Sequence, residues 1–439
     1  MIRLGDLRDS FEGVIPSVIA TLDDAGQPNI SYLSHVHYVD DSHVALSNQY
    51  FSKTAANVRR HGVATLAVID GRTGVQHILD LQFIRSEDHG EIFERISTHL
   101  DAASALQGTT GMMKLKAADI YRVTALRAVP PADPEAPPLP PMPRCDRLSR
   151  AARIAAAISA EDDADTILDV ALDGLRDAMM FPHVVVLVPD ADGEWLSTMA
   201  SRGYDRYGTG AQVHFGEGLI GMAASTRRVM RLADLRRATT YVQAAAGETP
   251  AIPLPGLSRP KCQMAVPMLA KGQLRGVIFA ESETNFAFGH EDEAALSLIA
   301  GQLAAALQLA ELQAQAAAPA PPAPPVSTAS GPPFRLRYYP FDDSVFIDDD
   351  YLIKGVPGRL LYHFLKGYVE TGRTDYTNRE IRREAALKLP DLKDNLETRL
   401  ILLRRRLDDK AGPIRLTRPE RGQIRLNLTG TPRIEVVTG

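Results

Sequence analysis

Two segments of this chain cannot pack a core. They are "VPPADPEAPPLPPMP", residues 129–143, and "AQAAAPAPPAPPVSTASGPP", residues 314–333. Proline fixes φ and removes a backbone donor, so such stretches form extended, semi-rigid spacers. They divide the 439 residues into three globular pieces, 1–128, 144–313 and 334–439, as the length alone suggests. No repeat relates the pieces. An apolar content of 45% is enough for a core in each. The opening "MIRLGDLRDSFEG" carries charge where a signal peptide has its apolar region, and no uninterrupted apolar run approaches the ~20 residues of a membrane helix. Cys145 and Cys262 make neither a disulfide framework nor a metal-binding spacing. The expectation is a cytoplasmic protein with no membrane partner and no bound metal.

Charge is unevenly spread. From Phe334 onward there are 21 Lys/Arg against 16 Asp/Glu, an excess of 5; the whole chain is −5, which leaves −10 for the rest. A basic end on an acidic remainder is the asymmetry of a sensor joined to an anion-binding output.

In the C-terminal piece, "FRLRYYPFDDSVFIDDDYLIKG" alternates like short strands with Asp-rich turns. Leu360, Leu361, Phe364, Leu365 and Tyr368 then recur at helical spacing up to Gly372. Thr377 followed by Glu380 is a capping-box pattern opening a second helix. A third helix, about Leu392 to Asp409, puts Leu396, Leu400, Leu403 and Leu407 on one face, and "PIRLTRPERGQIRL" makes two strands around Pro419–Gly422. Helices, "LRRRLDD", "PIRL" and the "RG-x-I-R-L" ending together resemble the winged-helix DNA-binding domain of two-component response regulators. The resemblance implies double-stranded DNA as partner, with the third helix in a major groove. Lys393, Asn395, Glu397 and Arg399 are then expected to face the groove. Arg404, Arg405, Arg418 and Arg421 are expected to meet phosphates. No receiver domain accompanies the winged helix.

The middle piece has amphipathic helix from Ser149, a buried strand "HVVVLVPD", and the segments "GEGLIG", "MAVPML" and "GVIFAES" ahead of a long helix. It resembles a GAF domain over about 145–312. That implies an antiparallel sensor sheet with a small-molecule pocket, and Phe288, Asp292 and Glu293 look like part of the acidic-aromatic signature of its cyclic-nucleotide subgroup. The Pro/Gly-rich stretch 236–260 has the length of a lid or binding loop. Cys262 reads as a core thiol. Leu296, Ile299, Leu303 and Leu307 form an apolar stripe on the last helix; it packs on the sheet or, as the resemblance implies, builds a parallel homodimer.

The N-terminal piece alternates as a meander: strand, turn at Gly26, strand, turn at Asp40–Asp41, strand, helix, strand. Through "PNISYLS", "LSNQYFSKTAANVRR" and "TLAVID" it resembles the pyridoxamine-phosphate-oxidase-like split barrels over about 12–126. The resemblance implies FMN, held by Ser31, Ser47, Ser52, Lys53, Thr54 and Asn57, with heme as the alternative ligand. His35 and His37 share one face of a strand; with no third ligand near they read as solvent-facing, and a heme would draw on them.

The expected fold is therefore α+β and multidomain: a split β-barrel, a GAF sensor sheet and a winged helix. The expected function is a transcriptional regulator that senses a small ligand or redox state and binds DNA as a homodimer. The alternative is a flavin-dependent oxidoreductase regulated by its other domains, although no catalytic acid/base constellation is evident.

Overall fold

The computed structural model describes residues 2–11, 15–49, 52–106, 114–130, 146–190, 192–235, 252–316, 331–384, 387, 389 and 396–437. Lys393, Asn395, Cys145 and most of both proline-rich segments lie outside them.

A 3-10 helix, Leu4–Phe11, precedes the first unit. Its strands are β1 (Ser17–Leu22), β2 (Pro28–Leu33), β3 (Val36–Asp40), β4 (His43–Asn48), β5 (Val63–Ile69), β6 (Gln76–Glu87) and β7 (Ala117–Ala128), with helices α1 (Ser52–His61) and α2 (Glu91–Leu106). The strand order is β2-β1-β5-β6-β7-β4-β3, and β2 approaches β4, so the sheet curls towards closure. "PNISYLSHVHYVD" alternates as one strand in sequence, but the chain breaks at Ser34–His35 and sends β2 and β3 to opposite ends of the sheet. Closing a sheet demands such a corner. The interior is filled from every second position, with Ile19, Val44, Leu46, Leu66, Val68, Leu79, Leu81 and Tyr121 buried.

The second unit runs α3 (Arg147–Ala160), α4 (Ala164–Asp177), β8 (His183–Pro189), β9 (Trp195–Arg202), β10 (Gln212–His214), α5 (Gly218–Thr226), β11 (Met230–Leu232), β12 (Cys262–Ala270), β13 (Gln273–Ser282) and α6 (His290–Ala316). Its antiparallel sheet has the order β10-β9-β8-β13-β12-β11. Alternation decides the two faces. Val184, Val186 and Val188 join the cluster formed with α3, α4 and α6, which also buries Cys262, while Val185 and Leu187 join α5. A Cβ on Gly276 would stand 2.5 Å from the Leu187 carbonyl oxygen, so only glycine lets β13 lie this close to β8.

α6 is long and apolar enough to cross a membrane by composition, yet 50% of its most apolar window is buried inside the protein. The stripe Leu296, Ile299, Leu303 and Leu307 packs inward on the sheet. A different stripe, Leu298, Leu309 and Leu312, is exposed.

The third unit contains β14 (Phe334–Tyr339), β15 (Ser344–Ile347), β16 (Asp350–Ile353), α7 (Val356–Thr371), β17 (Asp375–Thr377), α8 (Asn378–Arg383), α9 (Leu396–Lys410), β18 (Ile414–Thr417), β19 (Gln423–Leu428) and β20 (Pro432–Val436). Thr377 and Glu380 form the expected capping box. Leu360, Leu361, Phe364 and Leu365 on α7 bury together with Leu396, Leu400, Leu403 and Leu407 on α9. Two pairings have no sequence signature: β20 adds to β14 in parallel, and β17 adds to the β18–β19 hairpin.

Candidate functional sites

In the barrel, α1 lies against β1 and β2 and gathers part of the expected flavin cluster. Asn29 Nδ2 donates to Thr54 Oγ1 at 2.9 Å, the Ser31 and Thr54 hydroxyls are 2.9 Å apart, and Asn57 Nδ2 donates to Thr21 Oγ1 at 3.1 Å. Lys53 is 3.4 Å from Asp23 with 58% of its side chain exposed. Ser52 begins α1, and its side chain lies outside the description. Ser47 stands apart on β4, where its buried hydroxyl accepts from the His35 backbone N–H at 3.1 Å. These groups largely satisfy one another, leaving few donors for a phosphate.

Asn48, Ala55, Arg59, Ser86, Asp88 and Lys116 line a cleft of about 480 Å³ that includes positions on α1, within the ~300–1,000 Å³ range of small-molecule pockets. Arg59 and Lys116 have no ion-pair partner among the described residues. Asp119 accepts from Asn48 Nδ2 at 2.9 Å and Ser86 Oγ at 2.6 Å. Burial pushes the Asp119 carboxyl upward, and those hydrogen bonds oppose the shift. Asn48 and Arg59 belong to the segment already singled out in sequence; Lys116 and Asp119, brought beside Asn48 by the pairing of β4 with β7, carry no local signal.

His35 and His37 do not face solvent as their spacing suggested. His35 is buried, and its ring lies 4.3 Å from that of His99 on α2. The Ser34–His35 corner turns them towards the second unit. Among the described residues, no group of three or more His, Cys, Asp or Glu is placed to hold a metal ion.

In the second unit, the sheet face opposite α3, α4 and α6 carries a buried polar row. Glu281 pairs in register with His183 on one side and Gln263 on the other. Its carboxylate accepts from the Leu257 backbone N–H at 2.6 Å and Gln263 Nε2 at 3.1 Å. The Tyr204 ring stands 5.2 Å from His183. Burial raises the Glu281 pKa, against the pull of these hydrogen bonds and the His183 charge. The buried His183 Nδ1 and Thr198 Oγ1 have no protein partner, so the row retains hydrogen-bonding capacity for a bound molecule. Of the stretch 236–260, residues 236–251 lie outside the described part, and the remainder delivers Leu257 to Glu281. Glu281 was legible as a lone carboxylate in the apolar run "GVIFAES"; Tyr204 and His183 were not. Phe288, Asp292 and Glu293 have other contacts: Phe288 packs edge-on against Phe181, Asp292 pairs with Arg147, and Glu293 pairs with Arg95 and Arg231.

The basic face of the third unit is covered. Glu397 and Arg399, expected to lie open, are each 4% exposed. Arg399 Nη2 donates to the Pro189 carbonyl at 2.8 Å, and Glu397 pairs with Arg418 at 2.7 Å. Arg404 and Arg405 both meet Asp165, Arg405 through Nε at 2.6 Å. Arg405 also reaches Asp169 at 3.0 Å, and Arg418 reaches Asp163 at 3.3 Å. Arg421 donates to the Asp162 carbonyl at 2.9 Å and to Gln313. The acids come from the α3–α4 turn, where Asp163 is also the N-cap of α4, and from the first two turns of α4 itself, which carry Asp165 and Asp169. A helix N-terminus favours negative charge, so the turn is a built acidic knob.

Residues 6–124 match the sequence profile of the family described as pyridoxamine 5'-phosphate oxidase, and residues 161–308 match that of the GAF domain. No curated protein matches the chain. Among solved structures, the GAF domain of an Acinetobacter phosphoenolpyruvate-protein phosphotransferase is 20% identical, with a TM-score of 0.33, over 38% of this chain and 95% of its own. A free methionine-R-sulfoxide reductase from Neisseria meningitidis is 19% identical, with a TM-score of 0.31, over 38% of this chain and 91% of its own. An FMN-binding protein from Syntrophomonas wolfei is 19% identical, with a TM-score of 0.25, over 28% of this chain and 84% of its own. By the two profile matches, the first unit is a pyridoxamine 5'-phosphate oxidase-like domain and the second a GAF domain.

Proposed function

We propose that this protein is a ligand-gated transcriptional regulator whose third unit is a winged helix, held away from DNA by the GAF domain until a ligand releases it. The carrying observation is the pairing of Arg404, Arg405, Arg418 and Arg421 with Asp162, Asp163, Asp165 and Asp169. Each of these arginines was expected on DNA phosphates, and here a carboxylate stands where a phosphate would. Groove-facing Glu397 and Arg399 are shut in the same interface; Lys393 and Asn395 complete the proposed reading face. A ligand opens this state only if it binds the released form more tightly. The polar row around Glu281 in the GAF sheet is the candidate receptor.

The barrel is the second ligand module, with FMN as the first ligand to test. Its phosphate would meet Arg59 and Lys116 in the open cleft, or Lys53 and Thr54 at the start of α1 with Ser31, Ser52 and Asn57 nearby, while Ser47 stays apart on β4. Bound flavin would make the signal a redox state. Absorbance of the purified protein tests this directly: flavin bands assign the barrel to FMN, and a Soret band assigns it to heme. A homodimer would use the exposed Ile30 and Tyr32 of β2 or the exposed Leu298, Leu309 and Leu312 of α6, offering two winged helices to paired half-sites.

The deciding experiment is fluorescence anisotropy of a mixed-sequence duplex with the full chain and with an Asp162→Asn/Asp163→Asn variant. The variant is expected to bind about tenfold tighter or better, with affinity falling steeply as salt rises. Equal, weak and salt-insensitive binding by both proteins would overturn the reading.

A further inference from the structure

The seam between the barrel and the GAF domain encloses a small cavity of about 60 Å³. This is roughly the liquid volume of two waters, on the scale of a single phosphate or sulfate group. Its walls come from the 3-10 helix, the Ser34–His35 corner and α2 on one side, and from β11 and the start of α6 on the other.

The charges lining it do not balance. Asp9 stands outside the lining, 3.9 Å from His290 Nε2; among the lining residues, Arg8, Arg95 and Arg231 are cationic and Glu293 is the one carboxylate. That carboxylate is shared, with Arg95 Nη2 at 2.8 Å and Arg231 Nε at 3.1 Å. Arg231 also donates to the Phe288 carbonyl and to His290 Nδ1, each at 3.1 Å. His290 Nε2 lies 2.9 Å from the Arg8 carbonyl, so His290 is engaged at both nitrogens.

Two polar atoms at the cavity remain unmatched. The Arg8 guanidinium lies 4.7 Å from the centre of the Tyr38 ring, and its buried Nε has no acceptor. His35 is 8% exposed, its ring is held between those of His99 and His37, and its Nδ1 has no partner. Buried donors without acceptors are rare and costly. Burial, reinforced by the surrounding histidine and arginine charges, also holds His35 well below the usual histidine range. His37 is pushed down to about 3 by burial and by Arg95 and His290. Against the one Glu293 carboxylate, the three arginines around the cavity favour an added negative charge.

We propose that this seam is a binding site for a small oxyanion of the phosphoryl class, held by Arg8 Nε–H and His35 Nδ1–H in the field of Arg95 and Arg231. The bound ion bridges the barrel and the GAF domain, so anion level becomes an input that ties the two sensors together. The inference does not depend on the third unit binding DNA.

Titration calorimetry of the full chain with inorganic phosphate, in a buffer free of other oxyanions and at fixed ionic strength, tests it. One saturable site per chain is expected, weakened about tenfold or more by Arg8→Met and by His35→Phe, since each removes a hydrogen bond to a charged group. Near-UV circular dichroism verifies that each variant is folded. Phosphorus NMR line broadening of phosphate by the unmodified protein gives a reading that depends on no variant. Competition by glycerol phosphate separates two sources of the same chemistry: displacement makes a phosphate ester the ligand, and its absence makes the free ion the ligand. No saturable heat with no line broadening, or undiminished binding by both folded variants, would overturn the proposal.

Discussion

The two seams of the GAF domain use arginine in opposite ways. Towards the third unit, Arg404, Arg405 and Arg418 meet Asp163, Asp165 and Asp169, and the acids come from the N-cap and first two turns of α4. Towards the barrel, Arg95 and Arg231 divide one glutamate, and Arg8 Nε and His35 Nδ1 are left without partners. At the first seam each of these three arginines has a carboxylate within reach, which makes a latch, although Arg404 Nε is left without an acceptor there as well. Unmatched charge at the second makes a receptor, incomplete until an anion arrives. The residue type is the same in both, and the count of carboxylates within reach decides the outcome.

The latch breaks most readily at Asp165, whose side chain is 7% exposed and serves both Arg404 and Arg405. Removing one partner from a buried pair strands the other charge, at a cost of about 3–5 kcal/mol. The lower end is expected here, because Arg404 keeps 26% of its side chain exposed. Asp165→Ala should therefore speed hydrogen exchange in α9 and the β18–β19 hairpin while the barrel strands exchange as before. Unchanged exchange in α9 would mean that apolar packing, and not the acidic turn, holds the third unit.

The barrel seam carries a pH dependence of its own. His37 has a folded pKa of about 3 against an ordinary 6.5. A depressed histidine contributes stability that is present above its unfolded pKa and lost as pH falls towards its folded pKa. Between pH 7.5 and pH 5 the loss approaches about 2 kcal/mol for one such histidine. After burial, Arg95, His290 and Arg8 push the His37 pKa down while the facing Glu293 carboxylate pulls it up; burial opposes the Glu293 charge, but Arg231 and Arg95 hold its pKa down, so that opposing pull persists over this range. Thermal melts of the full chain should fall in midpoint over that range, and His37→Gln should flatten the fall. A melt whose pH dependence is the same in the variant would place the titrating group elsewhere.

What could be read from the sequence was local. Leu396, Leu400, Leu403 and Leu407 share a face because helical spacing puts them there, and Thr377 with Glu380 marks a helix start within four residues. The two proline-rich segments separated the units, and motif runs in the first two led to their families. What could not be read depends on distant partners. Arg405 finds Asp165 across 240 residues, and nothing near either one announces the pairing. His35 and His37 alternate like any strand pair, and only the corner at Ser34–His35, imposed by the curling sheet, turns them into a seam. On α6 the stripe Leu296, Ile299, Leu303 and Leu307 left sheet packing and a dimer open in sequence; it packs on the sheet, and the second stripe, Leu298, Leu309 and Leu312, went unread because only packing says which apolar face is covered.

The smallest effect separates docking from DNA binding. Arg421 lies at the rim of the latch, 41% exposed and 3.8 Å from an Asp162 carboxylate that is itself 80% exposed. Exposed pairs of this kind contribute about 0–1 kcal/mol, so Arg421→Ala should barely change hydrogen exchange in α9. On DNA the same side chain, at the turn of the β18–β19 hairpin, would neutralise one phosphate. Its loss should then lower the magnitude of the slope of log affinity against log salt by about 0.9, whatever the sequence of the duplex. Measured in the Asp162→Asn/Asp163→Asn background, where the latch is already weakened, the variant isolates the DNA contact from the docking contact. A slope that does not change would remove Arg421 from the DNA interface and leave it only the weak rim contact that the folded chain displays.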